Sequence, residues 1–295
     1  MKKILSLLFI VIFLAVSNLH AQTPKRAATS AILYKITGKN LKKPSYLFGT
    51  IHLICEKDMF SSEKLKSLID QTGQIMLETD FLDPAALQKA AVGSKLGGGK
   101  TMKDYLTPEE YAKIDEYFKT YMGISFDYLN SFKPIFATTA VLSSPKILGC
   151  QPPVIYDKFL AEVAVAKKLP VVGLESVDAQ MAAVDSVSLE QQIREMKEAA
   201  ADPEKTIAEF RKLSETYLSQ NSDRVYDFTE SEFKKTGYSQ AKMLDNRNIS
   251  WIPVIEKNIA ITPSFIAVGG GHLSGKNGVV NLLRSKGYTL TPIRL

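Results

Sequence analysis

The sequence predicts an α/β fold: a central sheet with flanking helices and a large, mainly helical insertion. Three observations carry this expectation. Short β-rich runs recur toward both ends of the chain, the long stretch between them has helical spacing, and four of the β-rich runs stop at an ionisable side chain. The last point bears on function. In open α/β sheets, ligands bind outside the carboxyl ends of the strands, where connecting loops and helix N-termini converge.

Residues 32–37 and 45–50 read as paired strands, with Gly38-Lys39-Asn40 and Pro44 marking the connection. Residues 63–70 have helical spacing, and 74–77 form a short apolar run that stops at Glu78-Thr79-Asp80. From Asp83-Pro84 to about Lys235 the texture is amphipathic helix, with Thr107-Pro108-Glu109-Glu110 as a helix start and Gly97-Gly98-Gly99 as a flexible break. One strand, residues 170–174, interrupts this stretch and stops at Glu175-Ser176. A helix over about 240–258 follows, then a strand over 264–268, a loop carrying His272, a helix over about 276–286 and a last strand near 288–293.

Lys2 and Lys3 precede an apolar run over residues 4–16, and the small Ala21 offers a cleavage point before Gln22, which is the build of a secretory signal peptide. The run is too short for a comfortable membrane span, and nothing later is long and apolar enough to be one. The expected organisation is a signal peptide over 1–21 and one exported, soluble domain over 22–295, periplasmic or secreted, with its helical insertion at about 84–235. That domain is long enough to bury a sizeable core. Removing Lys2 and Lys3 from the 37 basic residues leaves 35 against 31 acidic ones, an excess of 4. No run of lysine and arginine with interleaved aromatics stands out, so nucleic acid is a poor partner and a membrane surface only a weak one.

Cys55 and Cys150 are an even pair. In an oxidising compartment a disulfide is the default, and closing so long a loop contributes on the order of 4 kcal/mol in the chain-entropy account. Unpaired thiols are the alternative. Thiolate ligation of a metal is a third reading, since Cys55 lies three residues after His52.

Once His20 leaves with the leader, two histidines remain, and each closes a Gly-x-x-His pattern: Gly49-Thr50-Ile51-His52 and Gly269-Gly270-Gly271-His272. A single histidine after a strand is usually a hydrogen-bonded structural residue. Two in matching settings, in a chain with no other histidine, favour function. His52, Glu78, Glu175 and His272 all follow expected strands, and two neutral imidazoles with two carboxylates suffice for a metal site of two histidines and one carboxylate, leaving the second carboxylate as base. Residues without a Cβ allow the sharp turns and close approaches such loops need. Glu78 and Glu175 have a plainer reading as helix N-cap neighbours held by the macrodipole. Asp80 and Glu56 read as a turn residue and a solvated charge, and Trp251, at helical spacing with Ile255, as core.

Other patterns are weaker. Residues 270–276 fit the Gly-x4-Gly-Lys spacing of a phosphate loop, but Asn277 stands where the metal-binding Ser or Thr belongs. Ser61-x-x-Lys64 and Ser143-x-x-Lys146 match a serine-lysine spacing without a Lys-Thr-Gly partner, and no His-Glu-x-x-His occurs.

Residues 46–53 with their Gly-Thr-Ile-His core, Met76-Leu77-Glu78-Thr79-Asp80, Gly173-Leu174-Glu175-Ser176, Asp245-Asn246-Arg247-Asn248 and the loop over 268–272 together resemble the TraB/GumN family, which also takes in the animal Tiki proteins. The order and spacing of these segments match along nearly the whole chain after the leader. The resemblance implies an erythromycin-esterase/ChaN-like α/β fold with a helical insertion and, through the Tiki members, a divalent-metal-dependent peptidase supported by manganese or cobalt. Zinc is the alternative metal. By position it makes His52 and His272 the metal-linked histidines, Glu78 and Glu175 the acidic partners, and Arg247 and Asn248 a polar pair facing the site.

The mechanism expected from this reading is hydrolysis of a peptide or protein substrate by metal-activated water. His52, His272 and Glu78 hold the metal, Glu175 is the base, and Arg247 meets the developing oxyanion, with the two glutamates exchangeable in role. The competing reading is a non-catalytic binder of peptide or tetrapyrrole that uses the same histidines.

Overall fold

The computed structural model describes residues 30–80, 82–150 and 153–295. The expected signal peptide lies outside the described residues. Among the described residues twelve α-helices accompany eight strands: β1 (Leu33–Gly38), β2 (Ser45–Thr50), β3 (Ile54–Cys55), β4 (Gln74–Leu77), β5 (Pro153–Val154), β6 (Val171–Gly173), β7 (Ser264–Gly269) and β8 (Tyr288–Ile293). Six of the strands form one sheet in the order β6-β4-β7-β2-β1-β8, and β3 pairs with β5 apart from it.

The four strands β6, β4, β7 and β2 are mutually parallel, whereas β1 runs antiparallel to both β2 and β8. Parallel neighbours need long crossovers, and the helical segments supply them. β1 and β2 need only the turn at Gly38, whose φ of 90° places it in the left-handed region that favours glycine.

Alternation along the central strands sets two apolar layers. Phe48, Ile75, Leu77, Phe265 and Ala267 face one side, where they meet Leu65, Ile69, Tyr156, Leu160 and Tyr217. Leu47, Met76, Ile266 and Val268 face the other, against Trp251, Ile252, Ile255 and Leu283. With both faces covered, β2 and β4 are buried at every position, and the apolar triplets Tyr46-Leu47-Phe48 and Ile75-Met76-Leu77 stand consecutively rather than alternating with polar residues. The helical stretch has a further core of its own around Met102, Phe118, Phe126, Val141 and Met196.

Local signals account for several boundaries. Thr107 caps the helix Pro108–Met122 in a capping box: its hydroxyl accepts the Glu110 N–H at 3.2 Å, and Glu110 accepts the Thr107 N–H at 3.0 Å. The expected helix over 240–258 is a π-helical turn, Ala241–Asp245, running into the α-helix Asn246–Ile259. Cys55 and Cys150 form a disulfide with their Cα atoms 5.9 Å apart, so neither thiol is free to ligate a metal. The β3–β5 pairing beside the bridge is absent from the sequence reading, since two-residue strands carry no periodicity.

Candidate active site at the carboxyl edge of the sheet

Because β6, β4, β7 and β2 are adjacent and parallel, their carboxyl ends lie along one edge. Glu175, Glu78, His272 and His52 follow those ends in that spatial order. Gly49 permits the approach between the two Gly-x-x-His segments, since a Cβ there would lie 3.1 Å from the Gly270 Cα and 2.6 Å from Leu273.

Arg247, in the first turn of the helix Asn246–Ile259, joins three of the four. Its Nη2 donates to Glu78 Oε2 at 2.6 Å and to Glu175 Oε1 at 2.5 Å, and its Nε donates to Glu175 at 3.0 Å. Nη1 donates to the Met243 carbonyl at 3.1 Å and lies 3.2 Å from His272 Nε2. All five guanidinium N–H groups therefore have acceptors. The second Glu175 oxygen accepts the Trp251 indole N–H at 3.2 Å, so both oxygens of that carboxylate are taken. Trp251 is fully buried and also packs its ring 4.9 Å from the Arg247 guanidinium and 4.6 Å from the His272 ring.

Asn248 fixes the tautomer of His272. Its Nδ2 donates to the backbone carbonyls of His272 and Asn277, at 3.3 and 2.9 Å, which turns Oδ1 toward His272 Nδ1 at 2.6 Å. Nδ1 then carries the proton and Nε2 the lone pair, accepting from Arg247 and standing 4.0 Å from Glu78 Oε1. Burial lowers the His272 imidazole to about 3, with Arg247 adding to it against the pull of Glu78, so the ring is neutral at ordinary pH.

Burial acts to raise the Glu78 carboxyl. The charge of His272, present only at the acid pH where both groups titrate, the charge of Arg247 and the Gly269 N–H at 2.8 Å outweigh it and hold Glu78 at about 2. Gln180 adds a bond to Oε2 at 3.3 Å. Arg247 stays charged: burial opposes its charge, but Glu175 and Glu78 together raise it further.

His52 sits differently. Its side chain is 79% exposed, and Nδ1 lies 3.9 Å from Asp157 Oδ2. Asp157 is the functional candidate the sequence reading missed. It lies in the first turn of the helix Tyr156–Lys167, and burial and then the Glu78 charge push its carboxyl up to about 6. Its signal was faint: an acid in the first turn, followed at helical spacing by Ala161 and Val165 rather than by charges. Asp80 is a turn residue, accepting the Leu82 N–H.

His52, Glu78, Asp157 and Gln180 line one end of a cavity of about 680 Å³. Imidazole and carboxylate donors on a cavity wall fit a divalent cation by their chemistry. Among the described residues, however, no three His, Cys, Asp or Glu side chains converge on one point, and the cation beside Glu78 and His272 is Arg247.

A sheet edge that collects carboxylates, a neutral imidazole and an exposed imidazole at four parallel strand ends defines an α/β protein with an acid-histidine site beside a cavity. The chain belongs to the TraB/PrgY/gumN family, whose model matches residues 32–292. It is similar to Metalloprotease TIKI1 of Homo sapiens, 22% identical over 90% of this chain and 62% of the relative. Metalloprotease TIKI1 of Danio rerio is 22% identical over 83% and 60%, and that of Xenopus tropicalis 23% identical over 83% and 58%. The chain thus spans about three fifths of the length of these relatives. No solved structure matches.

Proposed function

We propose that this protein is an exported, divalent-metal-dependent peptidase with an erythromycin-esterase/ChaN-like fold. The carrying observation is the pairing of His272 with Asn248, which leaves a neutral imidazole whose Nε2 lone pair accepts from Arg247 and stands 4.0 Å from Glu78 Oε1. A buried imidazole held in one tautomer by a second residue is the arrangement metal-ligating histidines use. His52, His272 and Glu78 are the proposed ligands, and manganese, cobalt or zinc the candidate metals. When bound, such a cation supplies charge that polarises a peptide carbonyl and makes water more acidic.

The other side chains have distinct parts. Asp157 faces the cavity beside His52 and is our choice to take the proton from water, a role the sequence reading gave to Glu175. Both Glu175 oxygens are held by Arg247 and Trp251, so we assign it to positioning the guanidinium. Arg247, with every N–H engaged, holds the carboxylates in register rather than meeting an oxyanion. The signal-peptide pattern in the sequence of residues 1–21 supports export, and the Cys55–Cys150 bridge fits an oxidising compartment. Among the described residues no helix is long and apolar enough to cross a membrane.

The test is metal content and peptide hydrolysis of the purified chain. Wild type is expected to bind a first-row divalent metal and cleave peptides in a chelator-sensitive way. Glu78→Gln and His272→Ala should lose most metal, and Asp157→Asn should keep metal while losing turnover. Full metal and activity in the first two variants would sink the proposal. One observation favours a second reading: an exposed imidazole stands at a cavity whose walls are largely apolar, which suits a tetrapyrrole. Haemin titration giving a visible band that is lost in His52→Ala would support it.

A further inference from the structure

The cavity extends well beyond its polar end. Leu82, Leu87, Ile155, Ala161 and Val165 form much of the remaining wall. Four of the ten large hydrophobic side chains exposed among the described residues, namely Leu82, Leu87, Ile155 and Val165, gather here. Scattered exposed apolar groups need no explanation, but this concentration at one cavity marks a binding surface.

The helix Tyr156–Lys167 gives the surface its dimensions. Tyr156, Leu160, Val163 and Ala164 point into the core, whereas Asp157 and Val165 line the cavity, with the buried Ala161, spaced by four from each, belonging to both the core and the cavity wall. From Asp157 to Val165 the helix rises about 12 Å. An extended peptide covers that length with about four residues. Successive side chains on one face of an extended strand repeat every two residues, roughly 6.6 Å, and the step from Ala161 to Val165 is about 6 Å. The lining carries Glu78, Asp157 and Glu162 against Lys158; Glu78 is paired with Arg247 and Glu162 lies 3.9 Å from Lys158, so Asp157 is the carboxylate there without a lysine or arginine partner among the described residues.

We infer that this groove receives an extended peptide segment bearing two bulky apolar side chains two residues apart and no carboxylate, the first beside Ala161 and the second beside Val165 and Leu87. The inference rests on the peptidase reading for the choice of a peptide as occupant. It goes further in stating which peptides bind and where they lie. The segment starts at the Asp157 and His52 end and runs along the helix, so the preference falls on residues to one side of the bond to be cut. Asp157 repels a peptide carboxylate, and the one cation on the described lining, Lys158, already lies 3.9 Å from Glu162.

The experiment uses end-blocked, dye-labelled octapeptides in a Gly/Ser background, with binding read by fluorescence anisotropy in the presence of chelator. A Leu-Ser-Leu segment should bind at least tenfold tighter than Ser-Ser-Ser or adjacent Leu-Leu, and Leu-Asp-Leu at least tenfold weaker than Leu-Ser-Leu. Val165→Lys and Leu87→Lys change exposed positions and should erase the discrimination while leaving the circular dichroism spectrum unchanged. Equal affinities across the series, or full discrimination in both variants, would overturn the inference. The same peptides are then incubated with manganese, cobalt or zinc in turn and examined by mass spectrometry. Discrimination without cleavage upholds the groove and refutes the peptidase. Cleavage indifferent to the Leu-x-Leu spacing does the reverse.

Discussion

Asn248 Oδ1 lies 2.6 Å from His272 Nδ1, and both Nδ2 protons of the same amide go to backbone carbonyls, so the amide has one orientation and the imidazole one tautomer. Asn248 is 1% exposed. Asn248→Ala takes the partner from the Nδ1–H and the side-chain donor from both the His272 and Asn277 carbonyls, and is expected to cost about 1 to 3 kcal/mol in urea unfolding. If His272 is a ligand, the same change should weaken divalent-metal affinity about 10- to 100-fold, measured by competition with a chromophoric chelator. A variant with unchanged stability and metal affinity would show that the tautomer is set by something else.

Arg247 offers a sharper test of what holds the strand ends together. Its five N–H groups reach acceptors on four segments of the chain: Glu78, Glu175, Met243 and His272. Arg247→Gln strands two buried carboxylates and is expected to cost about 3 to 5 kcal/mol. Arg247→Lys keeps the charge but not the planar fork and should recover less than half of that loss. Unfolding is followed through Trp251, the one tryptophan, which packs on the guanidinium. Equality of the lysine variant with wild type would mean that charge alone suffices.

Three groups at the site shape its acid behaviour, and their signs differ. Glu78 drops from 4.5 to about 2, so its stabilisation is present above pH 4.5 and is lost as pH falls toward 2. His272, lowered from 6.5 to about 3, is buried neutral, and stability is lost as pH falls from 6.5 to about 3 because the unfolded chain takes up the proton first. Asp157, raised from 3.8 to about 6, acts oppositely: its contribution is present below pH 3.8 and lost as pH rises through 6. Asp157→Asn is therefore expected to stabilise the protein at pH 7 by on the order of 2 kcal/mol and to steepen its loss of stability between pH 6 and 4. Urea midpoints against pH for both proteins check this, and parallel curves would refute the burial of Asp157 as the source of its raised pKa.

The strand ends were legible because they are local. The β-rich runs at 45–50, 74–77 and 264–268 each hold three or more consecutive apolar residues, as strands buried on both faces do, and the residues that follow them need no knowledge of the rest of the chain. What was not legible is how those residues are spent. That Glu175 gives both oxygens to Arg247 and Trp251 follows from the π-helical turn at Ala241–Asp245 and the register of a helix some 70 residues away. Trp251 reads as core from its spacing with Ile255, and it is core, but its indole N–H also reaches Glu175, a contact spacing alone does not show. Asp157 looks like an ordinary first-turn acid until the crossover brings its helix against β4 and across from His52.

The Cys55–Cys150 bridge ties together the two segments that carry His52 and Asp157. Cys55 lies three residues after His52, Cys150 seven before Asp157, and the β3–β5 pairing of Ile54 with Val154 adds to the same junction. In the chain-entropy account a bridge across 95 positions stabilises by about 4 to 5 kcal/mol. Cys55→Ser/Cys150→Ser is thus expected to lower stability by about 2 to 5 kcal/mol. It should also loosen the His52 and Asp157 end of the cavity more than the Arg247 cluster, whose contacts lie on other segments. Hydrogen exchange with mass spectrometry separates the two: faster exchange over residues 51–58 and 153–160, with 246–259 and 264–272 unchanged. Uniform acceleration across all four segments would show that the bridge stabilises the whole fold and has no particular hold on the histidine-aspartate pair.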